Sequence, residues 1–244
     1  MLSYRSCTLC PRRCGVDREA GELGFCRMPG QLRAARAMLH YGEEPPICAN
    51  YGTGAVFFSG CTLHCRYCQN GVISTGGAGE ALTPEALRET FLRLIDEGAQ
   101  SIDLVTPTHF LPSILPALTP KLPVPVIYNC GGYESVETLR ELEGLIDIYL
   151  PDYKYADPEL AARLSGARDY PAVAAAALRE MYRQVGGTEL NEDGQMRKGM
   201  LVRHLVLPGY LSNTLAALDT IAALFPARDV SVSLMSQYVP MGNL

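Results

Sequence analysis

Seven of the nine cysteines fall into two groups with the close spacing of metal ligands. Cys61, Cys65 and Cys68 follow the pattern C-x3-C-x2-C, and the earlier group consists of Cys7, Cys10, Cys14 and Cys26. Thiolates are the preferred ligands of iron–sulfur clusters and bind zinc well. The first residues carry no apolar signal-peptide segment. We therefore expect a cytoplasmic protein, in which clustered cysteines bind metal more often than they form disulfides.

The later group predicts a metal site with one open position. Its three cysteines lie in one loop, directly after a predicted strand at residues 55–58. A closed zinc site or a cubane cluster requires four ligands, so three local thiolates leave one position free for a substrate or a cofactor. The alternative is a structural zinc site that His64 or a distant cysteine completes.

The earlier group supplies four thiolates, the number that a closed site requires. One interpretation, slightly preferred, is structural zinc that stabilises a segment too small to form its own core. The other is a second [4Fe-4S] cluster that relays electrons or contacts the substrate. Spacing alone does not decide between them. Cys48 and Cys130 stand outside both groups and are predicted to be packing residues.

Alternating strand and helix patterns position the later group. Six apolar runs cover residues 55–58, 102–105, 124–128, 146–150, 201–207 and 230–234, with helical patterns between them. This alternation predicts right-handed βαβ units and a parallel sheet, either doubly wound or an incomplete barrel. Thr83 and Asp157, each followed by proline, are predicted helix N-caps. Residues 1–54 show little periodicity and are predicted to be a loop-rich, metal-stapled segment, with the barrel in residues 55–244.

The composition excludes several classes of protein. Hydrophobic residues make up 48% of the 244 residues and charged residues 19%, so a large core is available and global disorder is excluded. The formal net charge of -5 argues against nucleic acid or an anionic membrane surface as the main partner. The sequence contains no long uncharged apolar run of the kind that predicts a membrane-spanning helix.

The cysteine loop also resembles that of a known family. C-x3-C-x2-C after the first strand of the predicted barrel, with the aromatic Tyr67 inside the motif, is similar to the signature of radical S-adenosylmethionine enzymes. Residues 129–133, 152–154 and 202–209 resemble the branch of pyruvate formate-lyase activating enzymes, in particular relatives with an N-terminal cysteine cluster. The resemblance covers nearly the whole chain. It implies an α/β fold, a partial (β/α)6 barrel preceded by a small cysteine-rich segment.

The resemblance also implies a reaction. Cys61, Cys65 and Cys68 would hold a [4Fe-4S] cluster whose open iron binds S-adenosylmethionine. One electron from a reductant such as flavodoxin or ferredoxin would then yield a 5′-deoxyadenosyl radical. This radical would abstract hydrogen from a protein glycine, as in the activating enzymes. The alternatives are an enzyme that acts on a small molecule or on another residue of a protein or peptide substrate, and a non-catalytic iron–sulfur electron-transfer or metal-binding protein.

Parallel barrels form their sites at the carboxyl ends of their strands. The residues predicted to bind S-adenosylmethionine are Tyr67, Thr106, Thr108, Asn129, Gly131, Gly132, Asp152, Lys154 and Arg203. The resemblance assigns Asp152, Lys154 and Arg203 to the cofactor carboxylate, directly or through a cation, and the glycines permit close backbone approach. Related enzymes carry an acidic turn where this chain has Thr106 and Thr108, which offer hydroxyl and backbone acceptors instead.

Five further residues have predictions that are less specific. His109 is either a substrate-side acid or base or a solvated or capping histidine. His204 is expected to pack against a helix. Glu43 and Glu44 are expected to lie in a solvated loop, and the alternative is that they line the barrel mouth. Tyr238 is predicted at the barrel mouth, on either the adenine side or the substrate side.

Overall fold

A mixed sheet forms the frame of the computed structural model, which describes residues 2–48, 52–226 and 228–241. Its strands in these ranges are β1 (Arg33–His40), β2 (Thr53–Phe58), β3 (Glu80–Ala81), β4 (Ile102–Val105), β5 (Val126–Cys130), β6 (Ile148–Pro151), β7 (Glu189–Leu190), β8 (Met196–Leu205) and β9 (Ser231–Met235). Strands β2, β4, β5, β6, β8 and β9 are parallel neighbours in that order. They correspond to the six predicted strands, so the partial (β/α)6 barrel is confirmed.

Helices connect the strands, and the longer ones pack on the outer face of the sheet. In the described ranges they are α1 (Pro45–Cys48), α2 (Gly71–Ser74), α3 (Pro84–Asp96), α4 (Leu111–Ala117), α5 (Val136–Arg140), α6 (Pro158–Ser165), α7 (Tyr170–Val185) and α8 (Leu211–Leu224). The Thr83 hydroxyl accepts a hydrogen bond from the N–H of Ala86 at 3.2 Å, and the Asp157 carboxylate accepts one from Glu159 at 2.8 Å. Both predicted N-caps are therefore confirmed. None of these helices combines the length and the apolar character that crossing a membrane requires.

Strand β1 corrects the prediction that the whole of residues 1–54 is loop-rich. It runs antiparallel to β2, and its first residues also pair with β3. The strand contains no β-branched residue, so its intrinsic β propensity is weak and pairing with the buried β2 decides its conformation. Residues 2–32 keep the predicted irregular structure, and residues 49–51 of the segment lie outside the described ranges.

The two faces of the sheet carry different side chains, because successive residues of a strand point to opposite sides. Outward-facing residues such as Leu104, Tyr128 and Val202 pack under the helices in the main core. Inward-facing apolar residues form a second buried cluster: Ile47, Ile127, Ile148, Leu150, Met196 and Leu201. Ile47 belongs to α1, which lies in the connection between β1 and β2. This short helix therefore closes the amino-terminal end of the barrel.

Polar residues also lie on the inner face, most of them toward the carboxyl ends of the strands. They are Asp103 on β4, Asn129 on β5, Asp152 directly after β6, and Arg203 on β8. Asp152 and Arg203 are parallel bridge partners, so their backbones are neighbours. The barrel thus has an apolar floor below a layer of charge.

The turn after β5 brings two strand ends into contact at Gly132. Its φ is +78°, in the region that favours glycine, and a Cβ atom there would overlap the carbonyl oxygen of Asp152. A Cβ on the preceding Gly131 would lie 2.8 Å from Cδ1 of Leu63 in the cysteine loop. The two glycines therefore permit close approach of the protein's own chain, which fixes the end of β5 against its neighbours.

Replacing Gly132 by alanine should destabilise the fold strongly. The left-handed backbone costs about 1 kcal/mol for alanine and the overlap with Asp152 about 1–3 kcal/mol more. The control is Gly144→Ala, because Gly144 has a similar φ of +82° but no neighbour within 4 Å of the added methyl group. Urea denaturation of both variants measures the difference. Equal losses of unfolding free energy would contradict the close contact at Gly132.

Candidate cluster and cofactor site

The three sulfurs of the cysteine loop, residues 60–70, all accept hydrogen bonds. The loop leaves β2 through Gly60, whose φ is +82°. The donors are the N–H of Leu63 to Cys61 (3.4 Å), the hydroxyl of Ser165 to Cys65 (3.0 Å) and the hydroxyl of Ser74 to Cys68 (3.6 Å). Hydrogen bonds to sulfur stabilise thiolates and tune the metal centres that they bind.

A cavity of about 180 Å³ lies between these sulfurs and the carboxyl ends of the parallel strands. The structure brings nine of the predicted residues to its wall: Cys61, Cys65, Cys68, Thr106, Asn129, Gly131, Asp152, Lys154 and Arg203. The convergence follows from the topology, since the carboxyl ends of parallel strands meet at one edge of the sheet. The loop after β2 and the strands β4, β5, β6 and β8 thus contribute to one site.

Two cations flank Asp152 in this cavity. The carboxylate is ion-paired with Nζ of Lys154 and, at 2.9 Å, with Nε of Arg203. Burial alone would raise the pKa of Asp152, but the two positive charges lower it overall. Burial alone would lower the pKa of Lys154, but Asp152 and Cys65 raise it overall. All three groups are therefore charged at neutral pH.

Glu43 and Glu44 correct the prediction of a solvated loop, because only 9% and 10% of their side chains are exposed. Glu43 Oε2 lies 3.3 Å from Nη1 of Arg203 and Glu44 Oε2 lies 3.9 Å from the same nitrogen. Packing of Ile47 into the barrel floor carries the preceding residues inside. Two consecutive acidic residues before two prolines are typical of an exposed turn, so the sequence offered no signal for this placement.

Each nitrogen of the Arg203 guanidinium has a partner within the protein. Nε binds Asp152, Nη1 faces Glu43, and Nη2 donates to Oδ1 of Asn129 at 2.6 Å. The amide nitrogen of Asn129 donates in turn to Asp103 at 3.2 Å. Burial raises the pKa of Asp103 to about 6. Arg203 is therefore the centre of a network that joins strands β4, β5 and β8 to the barrel floor.

Thr108 departs from its prediction as a cofactor contact. Its hydroxyl donates to Oε1 of Glu134 at 3.0 Å and accepts from the Tyr128 hydroxyl at 3.1 Å, away from the cavity. Thr106 has a positive φ of 60°, which redirects the chain after β4 and turns the two threonines apart. Gly132 also lies off the cavity wall, against the backbone of Asp152.

The two histidines near the site are both buried. Nε2 of His109 lies 2.6 Å from the carbonyl oxygen of Ser59, and burial lowers the pKa of His109 to about 3. His109 is therefore neutral and enclosed, which corrects the predictions of a solvated residue and of a substrate-side acid or base. His204 packs against α8 between Tyr153 and Thr214, so that prediction is confirmed.

A second cavity, of about 420 Å³, lies beside the cysteine loop. Its wall consists of Arg66, Tyr67, Arg163, Leu164, Leu207, Pro208, Tyr210 and Tyr238. Tyr67 is buried, and its hydroxyl accepts a hydrogen bond from that of Tyr155 at 2.9 Å. Gln69 donates to the carbonyl of Gln237 at 3.3 Å and so connects the cysteine loop with the segment after β9. Tyr67 and Tyr238 thus face this cavity rather than the smaller one.

The earlier cysteine group packs directly on the cysteine loop. Nε of Arg12 donates to the carbonyl of Thr62 at 3.0 Å, and the ring of Phe25 stacks on His64 with centroids 4.9 Å apart. Burial, reinforced by the charges of Glu134 and two neighbouring cysteines, raises the pKa of Cys10 to about 12. In neither group, among the described residues, do three His, Cys, Asp or Glu side chains surround a point for a single metal ion.

The region of the cysteine loop matches a known domain. Residues 51–109 match the family described as a 4Fe-4S single cluster domain. An uncharacterised protein of Methanocaldococcus jannaschii is 28% identical over 218 residues, which are 85% of this chain and 59% of the relative. The chain therefore spans less than two thirds of that curated relative. The matched range contains Cys61, Cys65 and Cys68, and the match supports a [4Fe-4S] cluster in this region.

The fold is similar to that of SuiB from Streptococcus suis, with a TM-score of 0.52 at 16% identity over 79% of this chain and 41% of SuiB. SuiB bound to its precursor peptide SuiA gives a TM-score of 0.52 at 15% identity over 72% of this chain and 37% of SuiB. SuiB bound to S-adenosylmethionine gives a TM-score of 0.50 at 17% identity over 75% of this chain and 41% of SuiB. These similarities show a common fold. Membership of the radical S-adenosylmethionine superfamily and of its activating-enzyme branch stays a prediction.

Replacing Glu43 by glutamine should make stability less sensitive to pH between about pH 5 and about pH 9. Burial and the charge of Asp103 raise the pKa of Glu43 to about 9, above the value of about 4.3 in an unfolded chain. The protonated carboxyl therefore stabilises the fold fully below about pH 4.3, and this contribution decreases until the pH passes about 9. Besides Asp103, the charged or titratable neighbours of Glu43 are Glu44, Arg203, His40 and Cys48.

Glutamine keeps the shape of the neutral carboxyl group and does not ionise. The unfolding free energy of Glu43→Gln should therefore rise relative to the wild type between about pH 5 and about pH 9. Glu89→Gln, on the exposed face of α3, serves as the control. Denaturation at several pH values measures both differences, and a flat difference for Glu43→Gln would count against the buried protonated carboxyl.

Proposed function

We propose that the protein is a radical S-adenosylmethionine enzyme. The observation that carries the proposal is the cavity in which three cysteine sulfurs lie opposite Lys154 and Asn129 at the carboxyl ends of the strands. A non-catalytic electron carrier needs a cluster but no second set of polar groups beside it. A charged layer next to the cysteines instead suits an ionic cofactor.

The cysteine loop fits a [4Fe-4S] cluster. Burial raises the pKa of Cys61 to about 11 and also raises that of Cys65, so these thiols require a positive metal charge to release their protons. The hydrogen bond that each sulfur already accepts would stabilise the thiolate form. Three protein ligands leave one iron for S-adenosylmethionine.

Lys154 is better placed than Arg203 to bind the cofactor carboxylate. Its ammonium group has three donors, and Asp152 uses one of them. Arg203, by contrast, already bonds to three side chains of the protein, those of Asp152, Glu43 and Asn129. We therefore assign carboxylate binding to Lys154 and assign Arg203 to the orientation of Asp152 and Asn129.

The larger cavity suits the adenosyl end of the cofactor. Tyr67 and Leu207 supply apolar surface there, and Tyr238 extends the wall beyond β9. A volume of about 420 Å³ is in the range of cavities that bind small molecules. Both cavities border the cysteine loop, so one ligand could contact the cluster and Tyr67 together.

The chain's own residues would bind, orient and shield the reacting groups. When bound, the cluster and S-adenosylmethionine supply a 5′-deoxyadenosyl radical after one-electron reduction by a protein such as flavodoxin or ferredoxin. Leu63 and Phe58, both almost fully buried, would keep water away from the cluster side of the cavity. Lys154 and Asp152 would fix the position of the methionyl group.

A peptide or protein residue is the substrate class that we propose. The larger cavity reaches the surface at the exposed Arg66. SuiB, which has a similar fold, has been crystallised with its precursor peptide SuiA. A glycine of a partner protein, as the activating-enzyme resemblance implies, would be one such residue. The net charge of -5 argues against nucleic acid and anionic membranes as partners.

Loss of the cysteine loop ligands should abolish cluster binding. After anaerobic reconstitution, the variant Cys61→Ala/Cys65→Ala/Cys68→Ala should hold about four fewer irons per chain than the wild type. Cys48→Ala is the matched control, because Cys48 is buried but lies on the barrel floor. Iron and sulfide analysis measures the difference. An unchanged iron content in the triple variant would refute the ligand assignment.

Replacing Lys154 by methionine should weaken binding of S-adenosylmethionine without loss of the cluster. A charge-assisted hydrogen bond contributes about 1.5–3 kcal/mol, so the affinity should fall about ten- to a hundredfold. Lys121→Met is the control, since Lys121 forms an exposed pair with Asp147. The change in the spectrum of the reduced cluster on titration with S-adenosylmethionine gives the affinity, and chromatography of 5′-deoxyadenosine gives the activity. Equal affinities in the two variants would exclude the carboxylate role of Lys154.

A further inference from the structure

Arg18 is a buried cation in the irregular N-terminal segment, residues 2–32. Its side chain is 1% exposed, and its nitrogens donate to the carbonyls of Met28 (2.9 Å), Pro29 (2.9 Å) and His109 (2.6 Å). No carboxylate of the described residues lies within ion-pair distance of it. These carbonyls satisfy its hydrogen bonds but leave its positive charge without a counterion.

A guanidinium group does not release its proton in a protein, so its burial without a counterion is costly. The side chain best placed to serve as a counterion is Cys7, whose sulfur lies 3.8 Å from Nη1 of Arg18. Arg18 is also close enough to Cys26 to interact with it electrostatically. Neutral thiols do not balance the charge, whereas thiolates bound to a metal centre with net negative charge do.

The sulfur of Cys14 also accepts a hydrogen bond, from the N–H of Phe25 at 3.3 Å. Cys10 and Cys26 are close enough to each other for their charges to interact, and the same holds for Cys10 with Cys14 and for Cys26 with Cys7. The four cysteines therefore lie near one another, with Cys7 and Cys26 on the side of Arg18. The sulfurs of Cys7 and Cys14 thus accept hydrogen bonds, as the sulfurs of the cysteine loop do.

This group lies in contact with the cysteine loop. A Cβ atom on Gly60 would lie 2.8 Å from the carbonyl oxygen of Cys26. Standard backbone dimensions then limit the separation of the Cα atoms of Cys26 and Cys61 to about 11 Å. His109 joins the two sides a second time, because its carbonyl binds Arg18 and its ring contacts the carbonyl of Ser59, two residues before Cys61.

We propose that Cys7, Cys10, Cys14 and Cys26 hold a second [4Fe-4S] cluster, with Arg18 as its buried counterion, and that this cluster passes electrons to the one in the cysteine loop. A zinc-thiolate site would balance the charge of Arg18 equally well. Zinc has no redox chemistry, however, so it could not pass electrons to the cysteine loop that it contacts. The short separation from Cys61 therefore favours the cluster. The relay rests on the proposed function, whereas the metal content and the counterion role do not.

The electron balance is simple. A low-potential flavin or iron–sulfur protein loses one electron, and the second cluster gains it. The second cluster is then reoxidised as the first cluster is reduced, so no charge accumulates on the relay. Arg18 stabilises the reduced state of the second cluster, which carries one more negative charge than the oxidised state.

Metal analysis of the reconstituted wild-type protein tests the metal. We expect about eight irons per chain and no zinc. The variant Cys61→Ala/Cys65→Ala/Cys68→Ala should retain about four irons, and Cys7→Ser/Cys10→Ser should also retain about four. One zinc with about four irons in the wild type would overturn the proposal, and this measurement requires no variant to fold.

A redox titration in the triple-alanine background tests the role of Arg18 without any enzyme activity. Replacing Arg18 by methionine should lower the midpoint potential of the remaining cluster. Replacing it by lysine, which keeps the positive charge, should leave the potential close to the value with Arg18. Arg5→Met is the control, since Arg5 belongs to the same segment but is exposed and paired with Glu19. An unchanged potential in a folded Arg18→Met variant would refute the counterion role.

The relay has its own test. In the Cys7→Ser/Cys10→Ser variant, reduction of the first cluster by flavodoxin should be slower than in the wild type, as stopped-flow absorbance measures it. Equal rates would exclude electron transfer through the second cluster. Failure of S-adenosylmethionine cleavage in a protein that holds both clusters would instead refute the proposed function and leave the metal assignment intact.

Discussion

The charge of Arg203 is the constraint on which the barrel interior depends. The guanidinium remains protonated wherever it is placed, so a largely enclosed position requires a counterion and further hydrogen-bond acceptors around it. Asp152 comes from the end of β6 and Glu43 from the turn before α1. These elements are far apart in sequence and meet only when Ile47 enters the barrel. One side chain therefore links the closure of the barrel floor to the geometry of the cofactor end.

The same layer contains more acidic than basic groups. Glu43, Glu44, Asp103 and Asp152 outnumber Arg203 and Lys154, and the excess negative charge is reduced by protons. The raised pKa values of Glu43 and Asp103 express this balance, because burial favours both neutral acids and the charge of Asp103 raises the pKa of Glu43 further.

The strands and the cysteine loop could be predicted because their signals are local. Apolar runs mark strands that are buried on both faces, and the ends of such strands must converge, so Asn129, Asp152 and Lys154 followed from position alone. Thr108 was misplaced because the positive φ of Thr106 redirects the chain within two residues. A turn of this kind has no sequence signal when the residue is not glycine.

Other features depend on tertiary contacts that no local pattern encodes. Strand β1 has weak β propensity and forms because β2 offers a free edge. Glu43 and Glu44 are typical loop residues, and nothing near them in sequence indicates that Ile47 packs against β5, β6 and β8. Arg18 stands among charged and small residues and has the sequence context of an exposed side chain. Long-range packing, rather than propensity, determines these positions.

Arg18 and Arg203 present the same physical problem with two different solutions. Arg203 has a counterion that the chain itself supplies, the carboxylate of Asp152, and it also bonds to the Glu43 carboxyl group. Arg18 is more deeply buried and has only carbonyl groups and cysteine sulfur as neighbours, so its counterion must come from what the cysteines bind. Residues 2–32 form no helix or strand that could hold them in place by backbone pairing. The free energy of metal binding would therefore contribute directly to the folding of this segment. Because Cys26 packs against Gly60, the order that the metal imposes there extends to the cysteine loop.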